Sequence, residues 1–148
     1  MRVIRATLAY DGTDFVGWQV QAAGRSVQGV LQESLERMHG HPVRVVGAGR
    51  TDSGVHATGQ VASFLSDLDS IPGERFRDAV NAYLPRDVRV LESAEAPPGF
   101  HARRSATLRR YRYYTVSAPV LLPHLLLLES GFRQFTGTLS ALLASAVN

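Results

Sequence analysis

An α+β chain ordered β-α-β-β-α-β, with both helices on one face of a mostly antiparallel sheet, is the fold that the apolar spacing predicts. Three observations carry it. Val27, Val30, Leu31, Leu35 and Met38 recur at helical spacing. Phe76, Ala79, Val80, Tyr83 and Leu84 do so again. Around and between these two stripes lie short strand-like runs closed by glycine, proline or aspartate. With 148 residues and 45% hydrophobic content, the chain has enough apolar surface for a domain with its own core.

The elements follow in order. Val3 to Tyr10 alternates weakly and runs into Asp11-Gly12, a strand entering a turn. Ser26 is placed to cap the first helix, and Gly40 with Pro42 stops it. Val43 to Val46 is a short strand leading into a loop from Gly47 to Gly54, and Gln60 to Leu65 returns as a third strand-like run. Pro72-Gly73 opens the second helix and Pro85 closes it. Val88 to Leu91 is the fourth strand, Ala96-Pro97-Pro98-Gly99 a break, and Leu108 to Val116 a fifth strand. This is the split, ferredoxin-like arrangement of a two-layer sandwich, which leaves one sheet face open for a ligand or a further layer. The domain division expected is 1–105 for the loop-bearing domain and 106–148 for a strand and the start of a second one. In that second part Leu121 to Leu128 is apolar without a period, and Thr136 to Val147 has the spacing of a short helix.

Composition excludes some chemistry. There is no cysteine, hence no disulfide and no thiolate metal site, which suits a reducing cytoplasm. The chain is expected to carry no secretory leader. Its longest apolar stretch, Val120 to Leu128, is broken by Pro123 and His124 and is too short to cross a bilayer. All 16 basic residues are arginine. A GC-rich gene accounts for that, and so does phosphate binding, for which the guanidinium fork is suited. Placement says more than count. Arg103, Arg104, Arg109, Arg110 and Arg112 crowd together, interleaved with Tyr111, Tyr113 and Tyr114. Cations alternating with aromatic rings suit RNA contact by charge and stacking. The plainer reading is a solvated strand face.

The segment Gly49-Arg50-Thr51-Asp52-Ser53-Gly54-Val55-His56-Ala57 carries the candidate chemistry. Gly47, Gly49 and Gly54 allow a bend that presents the Asp52 carboxylate. Arg50, two residues away, is placed to pair with it and keep it ionised, and an ionised, positioned carboxylate is a competent nucleophile or base. An aspartate turn with a surface ion pair is the bland alternative. His56 has no second ligand at metal spacing, so it reads as a loop-fixing histidine rather than a zinc ligand. Trp18 and Phe15 read as core, and Asp11 and Asp14 as turn formers.

That nonapeptide, preceded by Tyr10-Asp11-Gly12-Thr13-Asp14-Phe15-Val16-Gly17-Trp18-Gln19 and followed by Phe100-His101-Ala102-Arg103 and Arg110-Tyr111-Arg112-Tyr113, resembles the tRNA pseudouridine synthase A family. The match runs from about Arg5 to about Ser117. The resemblance implies a pseudouridine synthase fold with Asp52 as catalytic nucleophile, Arg50 paired with it, and Tyr111 over the target base. Arg110, Arg112, Arg103 and His56 are the further substrate-binding residues it implies. It also implies isomerisation of uridine in the anticodon stem-loop of tRNA, a flipped-out target nucleotide, no metal, no cofactor and a cytoplasmic homodimer. Family members continue through a second, similar domain, and the active site lies between the two. This chain matches the first half, so a truncated remnant that at most binds RNA is the alternative reading.

Overall fold

The computed structural model describes residues 1–112. Within them the elements are β1 (Arg2–Tyr10), α1 (Val27–His39), β2 (Val45–Gly47), β3 (Ala57–Ser66), a 3-10 turn (Gly73–Arg75) continuing into α2 (Phe76–Asn81), and β4 (Val88–Ala96). The β-α-β-β-α-β order expected from spacing is the order found. The sheet runs β2-β3-β1-β4, and every neighbouring pair is antiparallel. β1 and β2 therefore point the same way with β3 inserted between them, and β3 and β4 do so around β1.

Alternation along β1 decides which face is covered. Ile4, Ala6, Leu8 and Tyr10 are all buried, while Arg5 between them is exposed. Their partners on β3, Phe64 and Ala62, lie on the same face. Onto that face pack Val27, Leu31 and Leu35 of α1 and Phe76 and Val80 of α2. The Phe64 and Phe76 rings meet edge to face at 5.9 Å. At roughly 1.5–3 kcal/mol per buried large side chain, this stripe-on-sheet contact is the main source of stability. α1 is capped as its sequence requires. Ser26 Oγ accepts from the Gly29 amide at 3.1 Å, and Gly40 takes the left-handed conformation, φ 77°, that ends the helix.

Three expectations need correction. Tyr83 does not complete the α2 stripe but is 45% exposed. The helix ends at Asn81, and the chain tightens so that the Tyr83 and Leu84 amides both donate to the Val80 carbonyl, turning Tyr83 outward. β4 runs past Leu91 to Ala96, because a bulge leaves Leu91 unmatched between the pairs Leu8–Val90 and Thr7–Glu92. Finally, Leu108 to Arg112 is not strand. No ladder holds it; the Arg109 guanidinium does, donating from Nε to Ala48 O at 2.9 Å and from Nη2 to Arg103 O at 3.2 Å. The rest of that expected strand, the Leu121 to Leu128 run, the Thr136 to Val147 helix and nearly all of the second domain lie outside the described residues.

Part of the sheet face away from the helices is covered by the chain itself. The turn around Phe100 to Ser105 seats Ala102 on β3, its amide donating to Ser63 Oγ at 3.1 Å, and buries it. The uncovered part lies beside the Gly47–Ala57 loop. No described helix is long and apolar enough to cross a membrane.

Candidate active site

The Gly47–Ala57 loop is not held by its own contacts. It rests on the segment Asp11 to Trp18, and the resting is done mostly by main chain. The Trp18 amide donates to Thr51 O at 2.9 Å, and the Gly54 amide to Phe15 O at 3.2 Å. Ser53 Oγ donates to the same Phe15 carbonyl at 3.2 Å. Gly17 has φ 121°, and a Cβ there would stand 2.7 Å from Thr51 O; only glycine lets the two segments approach so closely. From β1 the Tyr10 hydroxyl meets Thr51 Oγ1 at 2.8 Å. Burial pushes the Tyr10 phenol up to about 12, so it stays protonated at neutral pH. Gln60 of β3 clasps Gly49 at both ends, its Nε2 donating to Gly49 O at 3.0 Å and its Oε1 accepting from Gly49 N at 3.3 Å.

These contacts fix Thr51 and leave its neighbours outward. Asp52 is exposed and heads a turn closed by the Val55 amide on Asp52 O at 3.2 Å. Of the three loop glycines, Gly54 takes the left-handed conformation that this turn needs, φ 78°. Gly47 serves packing instead, its bare Cα lying against the buried Trp18 indole. Trp18 and Phe15 are thus core, as their type suggests.

Arg50 and Asp52 make no ion pair among the described residues, contrary to the pairing expected from their spacing. Thr51 between them is anchored by its carbonyl and its hydroxyl. Arg50 lines two clefts, and Asp52 neither. His56 sits at the foot of the loop and lines neither cleft. Its Nδ1 lies 3.0 Å from the Gly12 amide and 2.9 Å from Asp11 Oδ1. Nδ1 accepts from the amide when the ring proton is on Nε2 and donates to the carboxylate when Nδ1 carries it. The Asp11 carboxyl is itself held below its ordinary range by the Thr13 hydroxyl and amide, with His56 a smaller influence.

The larger cleft, about 560 Å³, opens on the free sheet face. Its floor includes Thr7, Gln60 and Val61, and its rim Arg50, Arg109, Arg110 and Tyr111. The Tyr111 hydroxyl reaches within 3.6 Å of the place a Cβ on Gly49 would occupy. Tyr111 is 51% exposed. Arg103 lines the smaller cleft and Arg112 neither. Sequence reasoning missed three residues that shape the site. Thr51 carries no assigned role in the motif, Gln60 reads as a strand start, and Arg109 as one more member of a basic cluster. Among the described residues, no three His, Asp or Glu side chains gather as a metal site.

A family model described as tRNA pseudouridine synthase matches residues 6–103. The tRNA pseudouridine synthase A of Ruminiclostridium cellulolyticum is 49% identical over 119 residues, covering 80% of this chain and 48% of that protein. That of Solidesulfovibrio magneticus is 52% identical over 122 residues, 80% and 44% respectively. That of Brachyspira hyodysenteriae is 42% identical over 123 residues, 83% and 49%. The chain spans about half the length of the curated relatives it matches.

Proposed function

The chain belongs to the tRNA pseudouridine synthase family, and we propose that it isomerises uridine to pseudouridine in the anticodon stem-loop of tRNA, with Asp52 as the nucleophile. One observation carries the proposal: the Asp52 turn, seated on the first motif, stands beside a cleft rimmed by Tyr111 and three arginines, Arg50, Arg109 and Arg110. The C1′–N1 bond of uridine breaks, the base turns, and a C1′–C5 bond forms; the C5 proton leaves to solvent and N1 gains one. Nothing is oxidised or reduced, so the reaction as written calls for no redox partner. Asp52 carries the sugar while the base turns. Tyr111 covers the flipped base, and Arg110, Arg112 and Arg103 bind the strand. Arg50, without an ion pair among the described residues, is the proposed partner of Asp52 in the loaded site. The strand order supports reading the domain as the ferredoxin-like sandwich. The assembly proposed is a homodimer in the cytoplasm, with tRNA across both subunits.

The exposure of Asp52 favours a second reading, in which this chain binds RNA without turning it over. A solvated carboxylate loses most of its catalytic advantage. Tritium release from tRNA labelled at uridine C5 separates the two. Release by the native chain, abolished in Asp52→Asn with RNA binding retained, is expected. A folded native chain that binds RNA but releases nothing would leave only the binding role.

A further inference from the structure

On the other side of Arg50 lies a second cleft, about 200 Å³, at the β2 edge. Its chemistry differs from that of the first. Arg44, Arg50 and Arg103 line it together with His101, Gln28 and Trp18. No carboxylate lines it, and none of the three arginines forms an ion pair among the described residues. Four arginines elsewhere in the fold do find acid: Arg2 meets Glu95, Arg25 meets Asp87, and Arg75 and Arg77 meet Asp78. Three guanidinium groups gathered without a counter-charge repel one another, and an anion in their midst relieves that cost.

We propose that this cleft is a phosphate subsite, holding the backbone of the RNA strand next to the target nucleotide; this rests on the RNA reading above. Two features select backbone over base. The cleft offers no exposed large aromatic face, since Trp18 is 1% exposed and its other ring is the half-buried His101 imidazole, whose Nδ1 accepts from the Arg104 amide at 3.3 Å; the exposed ring for stacking is Tyr111 in the first cleft. Of its two side-chain amides, Gln28 is committed, Nε2 donating to Val45 O at 2.9 Å and Oε1 accepting from Val20 N at 3.0 Å, and the exposed Gln19 is the other. Beside that one amide, the cleft binds chiefly with charge in forked geometry, which fits phosphate oxygens and carries no sequence information. Arg50 borders both clefts, so a nucleotide in the larger one leaves its flanking phosphate beside the smaller. Arg44 is the telling residue, because it sits on the strand edge, exposed, with no part in the Asp52 loop.

The test is fluorescence anisotropy of a labelled anticodon stem-loop RNA with the whole chain at several KCl concentrations. Arg44→Gln and Arg103→Gln are expected each to weaken binding several-fold and to reduce the slope of log K against log salt by about 1. They should do so equally for RNAs of altered loop sequence. Arg37→Gln, on the helix layer, is expected to leave the slope unchanged. Circular dichroism identical to native confirms that the variants fold. Slopes equal to the native one overturn the subsite and leave the Asp52 reading intact, whereas a native chain that binds no RNA overturns both. A loss confined to one loop sequence overturns it in favour of base readout. Trp18, the single tryptophan, reports the anion directly. Its fluorescence is expected to respond saturably to inorganic phosphate at fixed ionic strength, and less so in the double variant. That response with unaltered RNA slopes assigns the cleft to free anion and overturns the RNA-backbone subsite.

Discussion

The Gly47–Ala57 loop and the Leu108–Arg112 segment meet at one cleft, but they are held in opposite ways. The loop is clamped by main-chain bonds to Phe15 and Trp18 and by the buried Tyr10 hydroxyl. In the segment, Leu108 to Tyr111 lie exposed, and the Arg109 guanidinium ties it to Ala48 O and Arg103 O. A group that must sit within a fraction of an ångström of a reacting atom needs the first kind of support. Groups that follow a flexible strand by charge and stacking tolerate the second. The contrast has a consequence for mutation. Changes in the bed beneath the loop should appear as lost stability, and changes in the segment as altered binding on an unchanged fold.

The largest effect belongs to the bed. A Cβ on Gly12 would land on the Val55 carbonyl, which is backbone and has no rotamer to yield. Gly12→Ala must therefore part the two segments, at a cost of about 3 kcal/mol, the upper range for overpacking. Urea unfolding should show a correspondingly lower midpoint, and the proposed uridine isomerisation should fall with the displaced Asp52 turn. A near-native midpoint would mean that the loop does not depend on its bed.

Tyr10→Phe tests the same clamp with less force. It removes the hydroxyl bonded to Thr51 while keeping the buried ring, and should cost about 1 kcal/mol at pH 7. The cost has a pH signature. The folded Tyr10 phenol is raised to about 12, whereas in the unfolded chain it ionises near 10. The associated stability is fully present below about pH 10 and is lost as pH rises towards 12. The gap between native and Tyr10→Phe should therefore narrow from pH 9 to pH 11, measured by denaturant unfolding. A gap that stays constant would place the hydroxyl in a solvated setting.

The same division explains what the sequence disclosed. α1 was legible at both ends because its signals are local: a serine whose hydroxyl caps it and a glycine that ends it. The loop motif was legible as a string. β4 was half legible, because the bulge at Leu91 reverses the alternation. Beyond it Ser93 and Glu95, not apolar residues, fall on the helix-covered face. There Ser93 accepts from the Arg77 amide and Glu95 pairs with Arg2. Arg50 and Asp52 look like partners because spacing brings them close, yet with Thr51 between them anchored from a distant segment the two form no ion pair among the described residues. Arg44 lies inside the Val43 to Val46 strand run, and nothing local marks it as a binding residue. Nothing in its surroundings announces Arg103, which tertiary folding brings to the same cleft.

The smallest effect is expected in the segment, and it decides whether the two regions are independent. Arg109→Gln loses the donations to Ala48 O and Arg103 O. Arg109 is exposed and water can replace it, so global stability should change by less than about 0.5 kcal/mol. Limited trypsin digestion reads both regions at once, since each contains arginine. Cleavage after Arg103, Arg104 and Arg110 should quicken several-fold in Arg109→Gln, while cleavage after Arg50 keeps its native rate. Equal quickening at Arg50 would show that loop and segment open together. The cleft would then be one cooperative unit, and the segment would help position the Asp52 turn as well as bind RNA.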